Sequence, residues 1–292
     1  MNHSEKYGLF RDKIENALAR YFEAEGIPRA LRNAMAYSAG SGGKRLRPIL
    51  LLAANELMQG DEAEALPFAC AVEMIHNYSL VHDDLPAMDN DDFRRGQPAC
   101  HRKFGEWLAI LAGDGLLSYA FEIMLSETAK AGKERSGALV KAALAIARGA
   151  GVSGMVGGQC ADMENENALD LEKLYYIHER KTGALIRASL EAGLLLCSPD
   201  DERLKAIRRY GECIGLAFQI TDDLLDISED AGKPTRSDEK NVKLTFPKVY
   251  GVEGAVDIAR AKVEEAIAAL GIFGDRNGFL VQLANAILTR KS

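Results

Sequence analysis

Apolar residues recur at helical spacing along nearly the whole chain, and no stretch alternates apolar and polar residues as a half-buried strand would. Leu9, Ile14, Leu18 and Phe22 open the pattern, and Leu46, Ile49, Leu50, Ala53, Ala54 and Leu57 continue it. Further windows predict helices over residues 66–85, 107–129, 138–150, 171–196, 202–227, 254–270 and 278–288, several of them rich in Ala and Leu. No Pro/Ser/Gly linker, composition break or internal repeat divides the 292 residues. The expectation is one all-α domain over residues 1–292. Its longest irregular segment, 228–247, carries Gly232, Pro234 and Asn241, and loops of that length tend to be functional or disordered.

Composition narrows the function classes. With 47% hydrophobic and 27% charged residues, the chain has enough apolar material for a large core and is neither disordered nor of low complexity. Asp plus Glu number 43 against 36 Lys plus Arg, a net charge of -7, which argues against nucleic-acid binding by general phosphate neutralisation. The five cysteines, Cys70, Cys100, Cys160, Cys197 and Cys213, are widely spaced without a CxxC pair and read as reduced core thiols. The N-terminus enters a charged amphipathic pattern, with no export signal visible. The most apolar stretch, 107–125, is interrupted by Asp114 and Glu122, whereas a membrane span needs about 20 residues almost free of charge. A soluble, cytoplasmic protein without a membrane span is expected.

Two acidic clusters carry the chemistry. Asp83, Asp84, Asp89, Asp91 and Asp92 place five carboxylates in ten residues just after an apolar helix, at the negative end of its dipole. Pro86 should end that helix near Leu85, letting Asp89 swing back toward Asp83. A solvated acidic turn is the plain alternative. In the second cluster, the spacing of Gln219, Asp222, Asp223 and Asp226 sets all four on one helical stripe. Solvated faces usually mix charge signs, so two such clusters point to a hard cation. All-oxygen donors suit Mg²⁺, which takes one or two carboxylates, waters and the oxygens of a substrate phosphate. Lys44, Arg45 and Arg47 open one helix and Arg94 and Arg95 follow the first cluster, in keeping with a phosphorylated ligand. For the former three, the alternative is a solvated first turn, although cations there oppose the dipole.

These residues together resemble the short-chain trans-prenyl diphosphate synthases, and most closely the bacterial farnesyl diphosphate synthases. The resemblance rests on GGKRLRP at 42–48, EMIHNYSLVHDDLPAMDNDDFRRG at 73–96, AGDGLL at 112–117, GMVGGQ at 154–159, KTGALI at 181–186 and FQITDDLLD at 218–226, with GKP and KLTFP segments in a lid. It implies an all-helical isoprenoid synthase fold around a deep central cavity, with the aspartate clusters facing each other across its mouth, and a homodimer. It further implies three Mg²⁺ ions: Asp83 and Asp89 on one side, Asp222 on the other, with Asp84, Asp223 and Asp226 close by. Arg94, Lys181, Lys233 and Lys243 map onto contacts to the allylic diphosphate, and Lys44, Arg47, His76 and Arg95 onto the isopentenyl diphosphate site. Thr182, Gln219 and the Lys181 carbonyl correspond to dipoles that steady an allylic cation; a capped or buried Thr182 is the alternative. Val242 stands where the family usually has Gly before the lid lysine.

The implied reaction condenses isopentenyl diphosphate with dimethylallyl and then geranyl diphosphate, the released diphosphate taking the final proton. Tyr78, five residues before Asp83 and beside the small Ser79, sits about 7 Å down the helix from the metal-binding end, deep enough to floor a growing chain. With Pro86 and Ala87 inside the first motif, an aromatic there goes in the resembling family with (2E,6E)-farnesyl diphosphate as product, and geranylgeranyl diphosphate is the alternative. A core tyrosine with its hydroxyl satisfied is the plain reading of Tyr78. A class I terpene cyclase shares the metal chemistry but has no use for a second cationic site, and a non-catalytic subunit would lose aspartates. Gly151, Gly154, Gly157 and Gly158 lack the strand and Lys-Ser/Thr of a phosphate loop, so helix packing is expected of them. His82-Asp83 invites comparison with His-Asp phosphohydrolases, for which His76 and His101 are poor partners.

Overall fold

A computed structural model describes residues 2–164, 171–230 and 245–290. Helices make up nearly all of it, so the all-α expectation holds. Two compact units emerge: Met1–Ala143 with Leu195–Ser198, and Leu144–Leu194 with Pro199–Ser292.

The first unit is built around α4 (Glu62–Asp83). Its apolar residues lie all round rather than on one stripe, the pattern of a helix enclosed by others. Phe68, Ala69, Cys70, Ala71, Val72, Met74 and Ile75 are fully buried. Around it pack α1 (His3–Tyr21), α2 (Arg29–Ala39), α3 (Leu46–Leu57) and α6 (Glu106–Lys130), the last separated from α4 by the short α5 (Cys100–Phe104). Asn2 and Glu5 form a capping box on α1, and Asp61 caps α4 by accepting from the Ala63 N–H at 2.8 Å, so the orphan donors at both starts are met. Between α4 and α5 lies a feature too short for periodicity to reveal: a two-residue hairpin, β1 (Phe93–Arg94) against β2 (Gln97–Pro98). Its turn, Arg95-Gly96, has positive φ at both positions (52° and 74°), as a type I′ turn requires.

The second unit begins within α7 (Lys133–Ala150) and contains α8 (Met155–Met163), α9 (Leu171–Ile177), α10 (Ala184–Leu195), α11 (Asp201–Asp230), α12 (Phe246–Ala269) and α13 (Gly278–Thr289). The window at 171–196 is two helices joined by a π-turn, His178–Gly183. Leu174, Leu216, Ile220, Phe246, Ala255 and Ala259 form one core cluster of this unit. Tyr210, fully buried, donates its hydroxyl to the Leu280 carbonyl at 2.8 Å. Of the 228–247 segment, α11 claims residues to Asp230 and α12 begins at Phe246; Lys233, Val242 and Lys243 lie outside the described residues.

All five thiols are unbridged, but Cys160 is exposed on α8 rather than in a core. Glu106–Lys130 and Lys133–Met163 are long and apolar enough by length and composition to cross a membrane. In α6, however, Leu108, Ala109, Ala112, Leu116, Ala120, Ile123 and Met124 are buried, as in a core helix.

Candidate active site

The first aspartate cluster is shaped by the end of α4. The helix stops at Asp83, three residues ahead of Pro86, with Asp84 as its cap. The chain then curls back: the Asp89 N–H donates to the Asp83 carbonyl at 2.8 Å and the Asn90 N–H to that of Leu85 at 3.1 Å. This brings Asp89 beside Asp83, as the proline predicted. The two differ from Asp84, which is 2% exposed and grips the Arg94 guanidinium, with Arg94 Nε at 2.9 Å from its Oδ1. Burial pushes the Asp84 carboxyl up, and Arg94 draws it back. Arg94 also reaches Asp91 at 3.2 Å.

The hairpin sends its two arginines to different partners. Arg94, on β1, turns to the aspartates, while Arg95, at the turn, donates to the Gly42 carbonyl and lies over Gly43. A Cβ at Gly43 would meet the Arg95 guanidinium carbon at 2.6 Å, so glycine is needed for that approach. Arg47 Nη1 is 3.5 Å from His76 Nε2. Burial and then Arg47, Arg95, Arg45 and Arg94 hold the His76 imidazole well below its usual pKa, hence neutral. The structure thus gathers Arg47, His76 and Arg95 into one cationic neighbourhood with Lys44 on the adjoining loop. Arg45, from the same motif, turns away into the interior.

Tyr78 is buried on α4, its ring edge-on to His82 with centroids 5.8 Å apart. His82 fills the space opposite Gly113 of α6, where a Cβ would come within 2.1 Å of Nε2, and lies 3.0 Å from the Ile110 carbonyl. The AGDGLL segment therefore seats His82. Ser79, half-buried, donates to the His76 carbonyl at 2.8 Å.

In the second unit, Lys181 and Thr182 lie on the π-turn, a geometry frequent at functional positions. Gly158 of α8 allows it: a Cβ there would sit 2.1 Å from the Lys181 backbone nitrogen. Packing is indeed the role of Gly158, whereas Gly151, Gly154 and Gly157 meet only carbonyls of their own local turns. Lys181 Nζ pairs with Asp162 at 2.7 Å, one helical turn beyond Gly158. Thr182 donates to Gln219 Oε1 at 2.8 Å, and Gln219 Nε2 donates to Asp223 at 3.3 Å, so the two proposed dipoles orient each other.

The aspartates of α11 divide as the first cluster does. Asp223 is 5% exposed and accepts the Phe246 N–H at 3.0 Å; burial raises it to about 6. Beside it His178, its ring tilted against Phe246 with centroids 5.5 Å apart, is lowered by burial to about 4. Asp222 is half-buried and Asp226 exposed. Arg290 reaches Asp222 at 2.7 Å, Thr221 Oγ1 and the Phe218 carbonyl at 2.6 Å, and lies over the Phe218 ring. Asp162, His178, Phe246 and Arg290 escaped the sequence reading because their partners lie 19 or more residues away, with no local motif to join them.

A divalent ion fits the donors. The first unit offers Asp83 and Asp89 as accessible oxygen donors, with Asp84 Oδ1 held by Arg94, and the second unit offers Asp222 and Asp226, with Asp223 held by Gln219 and the Phe246 N–H. Among the described residues no three His, Cys, Asp or Glu side chains already form a cage. Carboxylate oxygens are donors for a hard ion, which keeps waters and completes its shell with substrate phosphate oxygens.

Comparison with known proteins is consistent throughout. The polyprenyl synthetase family model matches residues 28–270. A farnesyl diphosphate synthase from Geobacillus stearothermophilus is 47% identical over 262 residues, covering 88% of this chain and 87% of that protein. A geranylgeranyl diphosphate synthase from Cyanophora paradoxa is 42% identical, covering 99% and 95%. The crystal structure of a geranyltransferase from Legionella pneumophila matches with a TM-score of 0.89 at 34% identity, covering 99% and 97%. The chain belongs to the polyprenyl synthetase family and is a trans-prenyl diphosphate synthase.

Proposed function

We propose that this prenyltransferase joins isopentenyl diphosphate head to tail to dimethylallyl and then geranyl diphosphate, giving (2E,6E)-farnesyl diphosphate. The observation that carries the reading is the sorting of cations. Arg94 accompanies Asp84 and Asp91, and Lys181 accompanies Asp162, while Arg47, His76 and Arg95 gather separately with the Lys44 loop. Two diphosphates need two such sets, and a cyclase would need one.

Asp83 and Asp89 of the first unit, and Asp222 and Asp226 of the second, are the carboxylates we read as metal ligands, for three Mg²⁺ ions in all. When bound, Mg²⁺ neutralises charge on the departing diphosphate. Arg94 and Lys181 hold that diphosphate through charge-assisted bonds, together with Lys233 and Lys243. Lys44, Arg47 and Arg95 orient the isopentenyl partner, and the neutral His76 imidazole gives it a hydrogen bond without a further charge. Thr182 and Gln219 present fixed dipoles toward the allylic cation, which the isopentenyl double bond attacks. The released diphosphate takes the proton.

The product is C15 in this reading because the buried Tyr78 ring, braced by His82, closes the floor beneath Asp83. Chromatography of dephosphorylated products tests it. Farnesol from the wild type and longer alcohols from Tyr78→Ala are expected; geranylgeraniol from the wild type, or unchanged farnesol from the variant, overturns it. Geranylgeranyl diphosphate synthases among the relatives keep the C20 product as the second reading.

We also place the protein in the cytoplasm as a homodimer. Trp107 (64% exposed), Ile110, Leu111 and Leu125 of α6 are exposed apolar side chains of the kind a second copy of the chain would cover. Sedimentation should give twice the chain mass of 31.8 kDa.

A further inference from the structure

The GGKRLRP segment contains three cations, and only two of them are in reach of a ligand. Arg45 is 2% exposed and its side chain wholly enclosed. Its guanidinium donates to Glu15 Oε1 at 2.8 Å, Glu73 Oε1 at 2.6 Å and the Ala39 carbonyl at 2.6 Å. We propose that Arg45, clamped by Glu73 and Glu15, is a positioning residue that locks the loop before α3 and thereby aims Lys44 and Arg47 at the isopentenyl diphosphate.

The backbone is the first argument. Gly42, Gly43 and Arg45 all have positive φ, at 81°, 119° and 51°. Glycine enters that region freely, but an arginine does so only where its surroundings insist. Arg45 is also the residue at which α3 starts, its carbonyl accepting the Ile49 N–H at 3.1 Å. Its left-handed turn therefore sets both the exit direction of Lys44 and the rotation of the first turn that carries Arg47 to His76. The loop's carbonyls are held as well, that of Gly42 by Arg95 and that of Lys44 by the Tyr7 hydroxyl.

The second argument is register. Glu73 lies on α4 three residues before His76 and is 1% exposed. Asn77 fixes it, donating to its carboxylate at 3.0 Å and its carbonyl at 2.8 Å. One helix thus supplies both the anchor of Arg45 and the imidazole that Arg47 meets, so the clamp keeps the loop in step with the site.

Charge balance is the third. Arg45, Arg47, Arg94 and Arg95 all act on His76, and Glu73 is the fully buried carboxylate that offsets Arg45 and Arg95. Buried ion pairs contribute little net stability, since desolvation cancels most of their attraction. What this one supplies is geometry.

The proposal rests on reading the Lys44, Arg47, His76 and Arg95 group as the isopentenyl diphosphate site, and one kinetic series separates the two. Michaelis constants for isopentenyl and dimethylallyl diphosphates are measured on the full chain for Arg45→Met, Arg45→Lys, Glu73→Gln and Lys44→Ala, with melting curves. Partners that orient ligating groups cost about 10- to 100-fold in affinity. Arg45→Met and Glu73→Gln should raise the isopentenyl KM by that factor, leave the allylic KM within about twofold, and Arg45→Lys should recover part of the loss. If Arg45→Met does not fold, Glu73→Gln carries the same expectation. A rise for Lys44→Ala alone overturns the positioning role and leaves the site reading intact. Equal rises in both constants with parallel loss of melting temperature make the clamp merely structural and overturn the proposal too. An isopentenyl KM indifferent to Lys44→Ala overturns the site reading itself.

Discussion

Replacing Gly158 by alanine adds one methyl group at the place where α8 meets the π-turn. That carbon would stand 2.1 Å from the Lys181 nitrogen and 2.7 Å from both the Arg180 carbonyl carbon and Lys181 Cα. Every one of these atoms is backbone, so no side chain can swing aside. Relief to an ordinary contact requires α8 and the turn to part by roughly 1 Å, an overpacking that typically costs 1–3 kcal/mol. The same movement pulls on the Lys181–Asp162 bridge at 2.7 Å and on the Thr182–Gln219 bond at 2.8 Å. A catalytic group displaced by about 1 Å loses on the order of 10² in rate. Steady-state kinetics with dimethylallyl and geranyl diphosphates should therefore show about a hundredfold lower kcat/KM for Gly158→Ala, with the helical circular dichroism retained. Near wild-type turnover in a folded variant would refute the link between this glycine and the placement of Lys181.

Asp83→Ala and Asp222→Ala should each lower kcat by about 10² to 10³, the usual loss when charge stabilisation of a leaving group is weakened, with the fold intact by circular dichroism. Lys44→Ala and Arg95→Ala should mainly raise the isopentenyl KM, and Lys181→Ala and Arg94→Ala the allylic one; equal effects on both constants would sink the division. Stability should fall on acidification partly through His178. The folded protein holds this ring neutral to about pH 4, while a free histidine takes its proton near 6.5, so the unfolded chain binds more protons between the two. The loss through that window reaches about 3 kcal/mol. Asp223, raised to about 6, works the opposite way, so the test is the difference in urea midpoint between wild type and His178→Gln at pH 7.5 and pH 4.5. A difference that does not change with pH contradicts the assignment.

What the sequence made legible was local. Helical periodicity located α4, α6 and α11, and the aspartate clusters stood out because their carboxylates are neighbours on one chain segment. Pro86 foretold the curl that brings Asp89 back to Asp83. The hairpin at Phe93–Pro98 escaped because two-residue strands leave no period to read. The different fates of Lys44 and Arg45 escaped as well, since adjacent cations look alike until burial distinguishes them. Likewise Asp84 and Asp223 resemble their neighbours in sequence but spend their oxygens on Arg94 and on the Phe246 amide. Asp162 and Arg290 engage Lys181 and Asp222 across gaps of 19 and 68 residues, contacts that only the folded chain defines.

The most direct measurement is continuous detection of released diphosphate when isopentenyl and dimethylallyl diphosphates are mixed with the protein, with and without Mg²⁺. Two cation sets serving two diphosphates predict release only when both substrates and the metal are present, with farnesyl diphosphate accumulating in step. Release from an allylic diphosphate alone at the same rate, or no release from the complete mixture, would contradict the account.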